Sequence, residues 1–317
     1  MDSKSLIELG LFTAEPRTGA REPKYTPSLL AKPGTIPFRS PPKTGVQPSR
    51  TRVSTQTIHS QRCIGLLRLL FQYGHVRTAE VAAALYPSAR YARQLAQRLI
   101  RTASNAGDVL LRKNTLGTIS VVLSEGGAAK LELTGLPARH GRDIVGVAGA
   151  TFLHRTLATN YLLHRAKSAL AFGEYAIHHG QAPIDRQSLI KRFAKIPDGI
   201  ICYSTDLGPV VDILEVEQSA KPMSELVNLL RWAEVVGSPL SGPGSARVQR
   251  LVIAFDASQG HASRLLKAAS MRWGHCGHAE QQEAMRRVVL ASISLGPGFS
   301  WKGCEERTLA SLSKRGV

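Results

Sequence analysis

No stretch of this 317-residue chain approaches the run of about 18 apolar residues that a membrane-spanning helix requires, and no basic amphipathic helix stands alone at a terminus. The first twelve residues lack the basic, apolar and small-residue succession of a secretory signal, so a cytoplasmic location without membrane insertion is expected. Cysteine is scarce. Cys63, Cys202, Cys276 and Cys304 are too scattered for a disulfide framework, and no CxxC pair is present to hold zinc. His275, Cys276 and His278 have metal-ligating side chains but no second ligand pair, so reduced, structural cysteines are expected. Aromatic residues make up 6% of the chain and carry no RRM-like stacking signature, which argues against an RNA-binding module. Acidic residues are also short: 23 Asp and Glu face 41 Lys and Arg, for a net charge of +18. A polyanion is the default partner of such a chain, and nucleic acid is expected ahead of a membrane surface.

Proline crowds one end, with eight of the 17 before Ser54 and few large apolar residues among them. Residues 1–56 are expected to form a basic disordered arm that either wraps phosphates or tethers the folded part. The apolar piece Leu6 to Phe12 is a candidate docking segment.

From Thr57 to Leu123 the pattern becomes regular. An apolar-periodic helix ends at Gly74. Thr78 is expected to cap a short helix, Ala79 to Leu85, and Tyr86-Pro87-Ser88 makes a turn. The next helix, Ala89 to Ala103, places Tyr91, Leu95, Leu99 and Ile100 inward. Arg90, Arg93, Gln94, Gln97, Arg98 and Arg101 lie on its other faces, and Arg and Gln are apt readers of the major groove. Strands Asp108 to Lys113 and Thr118 to Leu123, joined through Asn114 to Gly117, form a hairpin that adds Arg112 and Lys113 to the candidate DNA contacts. Helix, helix, turn, basic helix and hairpin in that order describe a winged helix-turn-helix over residues 57–140, with double-stranded DNA as its partner.

A connector, Ser124 to Arg142, leads to a second unit, residues 141–317. Its pattern predicts a helix over Thr156 to Ala171, a strand over Phe172 to His178, and an irregular polar excursion over Gln181 to Arg192. A strand begins again at Ile196 and turns at Thr205 to Gly208 into its antiparallel partner, Val210 to Glu217. A helix (Met223 to Val236), a strand (Val248 to Phe255), a helix (Ala262 to Arg272) and a last strand (Val288 to Leu295) complete an α/β alternation. Side chains two apart on a strand share a face, so Glu215 and Glu217 converge while Leu214 and Val216 point to the opposite layer. Asp198, beside a permissive glycine at the mouth of the neighbouring strand, joins them. Three close carboxylates repel one another unless a divalent cation or a shared proton compensates, so Mg²⁺ or Mn²⁺ is expected at Asp198, Glu215 and Glu217. Glu174 is either a fourth acid or a solvated one. His154, Arg155 and Asn160 either contact phosphate or cap a helix, and Lys221 is placed to reach back toward the acids.

Pro197-Asp198-Gly199 leading one strand and Glu215-Val216-Glu217 on the next resemble the PD-(D/E)xK restriction-endonuclease fold, with Glu217 at the lysine position of that family. A winged helix followed by His154-Arg155, Asn160, Pro197-Asp198-Gly199 and Glu215-Val216-Glu217 is similar to the replication-relaxation family and the MobC-type conjugative relaxases, over about residues 57 to 240. The resemblance implies an α/β chain, α+β overall: a winged helix-turn-helix followed by a restriction-endonuclease-like mixed sheet and a C-terminal extension. It also implies a metal-dependent nickase that cuts plasmid DNA at a transfer origin, alongside other conjugation or replication proteins. Asp198, Glu215 and Glu217 would then be the catalytic, metal-holding residues. Gln218 and Ser219 depart from the family pattern, and residues beyond 240 have no recognised counterpart. A noncatalytic accessory factor, or a replication or transcription regulator with a degenerate nuclease fold, accommodates the same motifs.

Overall fold

The computed structural model describes residues 54–114, 116–136, 138, 149–218 and 221–313. Of the arm expected over 1–56, residues 1–53 lie outside the described residues, and the first helix already begins at Thr55.

Helix α1 (Thr55–Tyr73) starts at Ser54, whose hydroxyl accepts the Thr57 N–H at 3.1 Å and so satisfies one otherwise orphaned donor. It ends at Gly74, where φ is 76° and the N–H reaches Leu70 O, a left-handed stop that a residue without Cβ supplies cheaply. Strand β1 (His75–Val76) leads into α2 (Thr78–Leu85). Thr78 is the first helical residue rather than the cap. The cap is Arg77, because Glu80 accepts the backbone N–H of Arg77 at 2.6 Å and also takes its guanidinium. Helix α3 (Ala92–Asn105) begins three residues later than expected. Tyr91, expected inward, is 57% exposed, with the Arg90 guanidinium 5.5 Å from its ring centroid. Ala96, Leu99, Ile100 and Ala103 form the buried face of α3, and Arg93, Gln94, Gln97, Arg98 and Arg101 are exposed.

Strands β2 (Val109–Lys113) and β3 (Ile119–Leu123) pair antiparallel, and β1 adds to the far side of β3. The turn between β2 and β3 is closed by Asn114 Oδ1, which accepts the N–H groups of Leu116 and Thr118 at 3.0 Å each. The stretch read as a connector holds helix α4 (Glu125–Glu132), capped by Ser124.

Helix α5 (Gly149–Arg165) and strand β4 (Leu170–Gly173) follow, so the expected helix ends early and Leu170 and Ala171 belong to the strand. The strand expected over Phe172 to His178 stops at Gly173, and Glu174–His178 forms a short helix, α6. The paired register ends at Gly173–Gly199, after which the Glu174 N–H still reaches Asp198 O at 3.0 Å as the chain winds into the helix. The polar excursion is also corrected. Arg186–Phe193 is helix α7, capped by Asp185 and buried through Leu189 and Phe193. It ends at Ala194 in the left-handed region, φ 62°. Ala194→Gly is therefore expected to raise stability by about 0.5–1 kcal/mol in urea denaturation, the Cβ penalty less the extra chain entropy of glycine.

Strands β5 (Gly199–Thr205) and β6 (Gly208–Val216) form the expected hairpin. Then come α8 (Met223–Leu230), which tightens into a 3₁₀ turn over Arg231–Val235, β7 (Pro239–Leu240), β8 (Ala246–Asp256) and α9 (His261–Trp273). The chain continues with α10 (His278–Arg286), β9 (Val288–Leu295), β10 (Trp301–Thr308) and α11 (Leu309–Ser313). Strand β9 is thus not the last. Strand β10 escaped notice because its exposed edge sequence, Trp301-Lys302-Gly303-Cys304-Glu305-Glu306, lacks an apolar run.

The large sheet runs β10-β9-β8-β6-β5-β4, with β7 pairing with β8. β6, β8 and β9 are parallel, and the remaining pairings are antiparallel. The chain is a mixed α/β protein with a mixed sheet. One apolar cluster extends from α1 and α3 through α5 to one sheet face, where it takes in Leu214 and Val216. The opposite face, with Ile213 and Ile253, is covered by α7, α8 and α9. The N-terminal elements therefore share their core with the sheet, and Gln72 on α1 donates to the carbonyl of Ala171 on β4. Among the described residues no helix is long and apolar enough to cross a membrane.

One polar group sits inside this core. Asp212 on β6, with a side chain only 1% exposed, is paired with Arg250 on β8 and accepts from Tyr203 Oη at 2.6 Å. Arg250→Met strands that carboxylate and is expected to cost about 3 kcal/mol in equilibrium denaturation, the lower end for a broken buried pair because Tyr203 still donates.

Candidate functional site

Because β6, β8 and β9 run parallel, their C-terminal ends lie on one edge of the sheet, together with the end of β4 and the start of β5. Crevices at such strand ends are where α/β sheets hold ligands. The β4–β5 register ends at Gly173–Gly199 and leaves Asp198 at the rim. Gly199 is required for space rather than for backbone freedom: a Cβ would stand 2.9 Å from the Leu162 side chain and 3.0 Å from Phe172 O. Asp198 is held by two contacts, with Oδ2 accepting the Val216 N–H at 2.7 Å and Oδ1 2.9 Å from His154 Nε2 on α5. Glu215 and Glu217 are drawn to the same edge, each with a side chain 1% exposed.

Each acid has one base. His154 pairs with Asp198, Lys195 with Glu215, and Lys221 with Glu217, the last at 2.9 Å. Burial works against the Asp198 charge, but the hydrogen bond and charge of His154 outweigh it and hold the carboxyl below its usual value. Burial likewise opposes the His154 cation, and Asp198 overcomes it, so the imidazole pKa is raised. Burial, followed by the Asp198 charge, pushes the Glu215 carboxyl up to about 7 in spite of Lys195. The Lys221 ammonium is raised, its partial burial outweighed by Glu217 beside it, with Glu215 and Asp198 adding to the effect. Of the acids, Asp198 acts on Glu215 electrostatically.

The other candidates are arranged differently. Glu174 opens α6, donates its own N–H to Asp198 O at 3.0 Å, and places its carboxylate 3.5 Å from His178. Asn160 donates to Phe299 O at 3.4 Å, in the turn between β9 and β10, rather than to the acids. Arg155 follows His154 on α5 and is half-buried. Two residues near the acids were missed. Lys195 has no motif around it and is delivered by the left-handed turn at Ala194 that ends α7. His261, at the start of α9, is 4% exposed. Burial lowers its pKa against the pull of Glu217.

Glu215 Oε2 and Glu217 Oε1 are shut away from solvent and accept no hydrogen bond among the described residues, while Glu217 Oε2 faces Lys221. Buried oxygen donors of this kind suit Mg²⁺ or Mn²⁺. Among the described residues no three His, Cys, Asp or Glu side chains form a ready-made metal shell; here the bases stand against the acids. His275 and His278 are exposed and the four cysteines are free. Compared with known proteins, the chain matches no family model, no curated protein and no solved structure.

Proposed function

We propose that this chain is a divalent-metal-dependent DNA nickase of the relaxase type, acting at one sequence such as a plasmid transfer origin. In this reading α1 to α3 and the β1–β3 sheet are a winged helix-turn-helix, and the large sheet is a PD-(D/E)xK-like nuclease unit. The observation that carries the proposal is the set of buried carboxylates on the strand-end rim, of which Glu215 Oε2 and Glu217 Oε1 have no hydrogen-bond partner among the described residues, since a buried carboxylate oxygen left unsatisfied is costly unless it serves a cation. The exposed Arg93, Gln94, Gln97, Arg98 and Arg101 on one helix support a duplex partner.

Asp198, Glu215 and Glu217 would hold Mg²⁺ or Mn²⁺, which when bound supplies an activated water and charge stabilisation at the scissile phosphate. The protein's own groups do the positioning. The Val216 N–H and His154 fix the Asp198 carboxylate, the sheet closes one side of Glu215 and Glu217 to water, and Lys195 and Lys221 bring positive charge to where a phosphate would lie.

Incubation with supercoiled cognate plasmid and Mg²⁺ or Mn²⁺ is expected to yield open circles, and chelation to stop the reaction. Absence of open circles under every metal sinks the proposal. Independently, removing a phosphate-contacting cation such as Arg90, Arg112 or Lys113 is expected to reduce the slope of log affinity against log salt by about one, across all sequences. Gln94→Ala or Gln97→Ala is expected instead to relax sequence preference by about 1–3 kcal/mol at one base pair. A second reading, a noncatalytic DNA-binding accessory factor or regulator, is favoured by the one-to-one pairing of acids and bases, and predicts specific binding with no response to metal.

A further inference from the structure

Three acids and three bases at one rim make a cluster that neutralises itself. We infer that Lys195 and Lys221 are internal counter-ions that a divalent cation displaces, and that the displaced ammonium groups then engage DNA phosphate, so that metal and polyanion bind here cooperatively. The inference rests on the nickase reading and adds to it a coupling between two ligands.

The asymmetry of exposure carries the argument. Glu215 and Glu217 are each 1% exposed at the side chain, whereas the side chains of Lys195 and Lys221 are 51% and 26% exposed. The acids are sealed in, and the bases reach down to them from the surface. A buried carboxylate without a cation is strongly destabilising, so the lysines are needed while no metal is bound. A divalent ion at the oxygens without a hydrogen-bond partner among the described residues, Glu215 Oε2 and Glu217 Oε1, supplies that charge from inside. A lysine stem then stays against the protein while its head turns to water.

In its contact with Glu215 the Lys195 ammonium also lies 5.3 Å from the centroid of the Trp232 ring. Lys191 and Arg192, on the last turn of α7 just before it, are exposed and make no ion pair among the described residues. The released head thus joins a basic strip suited to a sugar-phosphate backbone. Linkage makes the coupling reciprocal: DNA tightens the metal by the factor by which metal tightens DNA.

The test is Mn²⁺ titration calorimetry on the full chain, wild type against Lys195→Met, Lys221→Met and, as a control, Lys191→Met, followed by affinity for a short mixed-sequence duplex with and without Mn²⁺. Without DNA, the Lys195 and Lys221 variants are expected to bind Mn²⁺ about tenfold more tightly, and most of the Mn²⁺-induced gain in DNA affinity, about 5–150-fold in coupled systems, is expected to disappear. Lys191→Met is expected to bind Mn²⁺ as wild type does and to keep the Mn²⁺-induced gain, its DNA affinity falling alike with and without Mn²⁺, and Lys195→Arg, which keeps the cation and guards against a folding defect in the methionine variant, to keep the coupling. Unchanged or weaker Mn²⁺ binding in both methionine variants, with wild type still binding, overturns the inference and leaves the nickase reading standing. No Mn²⁺ binding by any of the proteins removes both.

Discussion

An Asp198→Ala protein is expected to nick supercoiled cognate DNA about a thousand-fold more slowly than wild type, the equivalent of several kcal/mol of metal-borne charge stabilisation. Its affinity for the uncut site should stay within a few-fold of wild type, because α3 and the β2–β3 hairpin carry that contact in the proposed reading. Asp198 is the acid to remove because it joins the parts of the rim. Its carboxylate takes the Val216 N–H, holds His154 of α5, and sets the charge that Glu215 feels. Without it, His154 loses the partner that raises its pKa, and Glu215 loses the neighbour that, after burial, raises its own. Conversion of supercoiled to open-circular DNA, followed in time with Mg²⁺ and with Mn²⁺, measures the effect. Equal rates for Asp198→Ala and wild type would mean that Asp198 takes no part in the cleavage and would overturn its assignment as a catalytic residue.

Arg77→Met is expected to cost about 3–5 kcal/mol in urea denaturation, the range for a buried ion pair broken from one side. Arg77 and Glu80 have side chains 5% and 1% exposed, so neither has water to fall back on. The same guanidinium donates to Gly298 O at 2.7 Å and to Phe299 O at 2.9 Å. Those carbonyls belong to the tight turn between β9 and β10, where Phe299 itself sits at φ 58°. Phe152 on α5 packs edge-on against Phe299 and also contacts His75. One arginine therefore joins the N-terminal elements to the edge of the sheet that carries the acids. A double variant, Arg77→Met with Glu80→Leu, should recover much of the loss, since the stranded Glu80 charge accounts for most of it. If the single and double variants are equally unstable, the carbonyl contacts matter more than the ion pair.

Much of the architecture was legible because it is local. Gly74, Asn114 and Gly117 act within one turn of themselves, and the apolar period of α1 and α3 needs no distant partner to be read. The β5–β6 hairpin and the common face of Glu215 and Glu217 follow from a period of two. Errors arose where a distant residue decides. Where β4 stops is set by its pairing with β5, whose register ends at Gly173–Gly199. Tyr91 turns outward because the helix begins only after it, and β10 has no apolar run because it is an edge whose one neighbour is β9.

The rim itself divides in the same way. The sequence alone determined the strong positive charge, the alternation of helix and strand, and the presence of three acids at Asp198, Glu215 and Glu217 on adjoining strands, because composition and strand period are properties of neighbours along the chain. Only the tertiary structure decided that each acid has a base of its own and that the acids are sealed while the lysines are not. His154 comes from α5, Lys195 from the turn after α7 and Lys221 from the segment before α8, and burial, which sets the charge balance among them, exists only once the sheet and its helices have closed around the site.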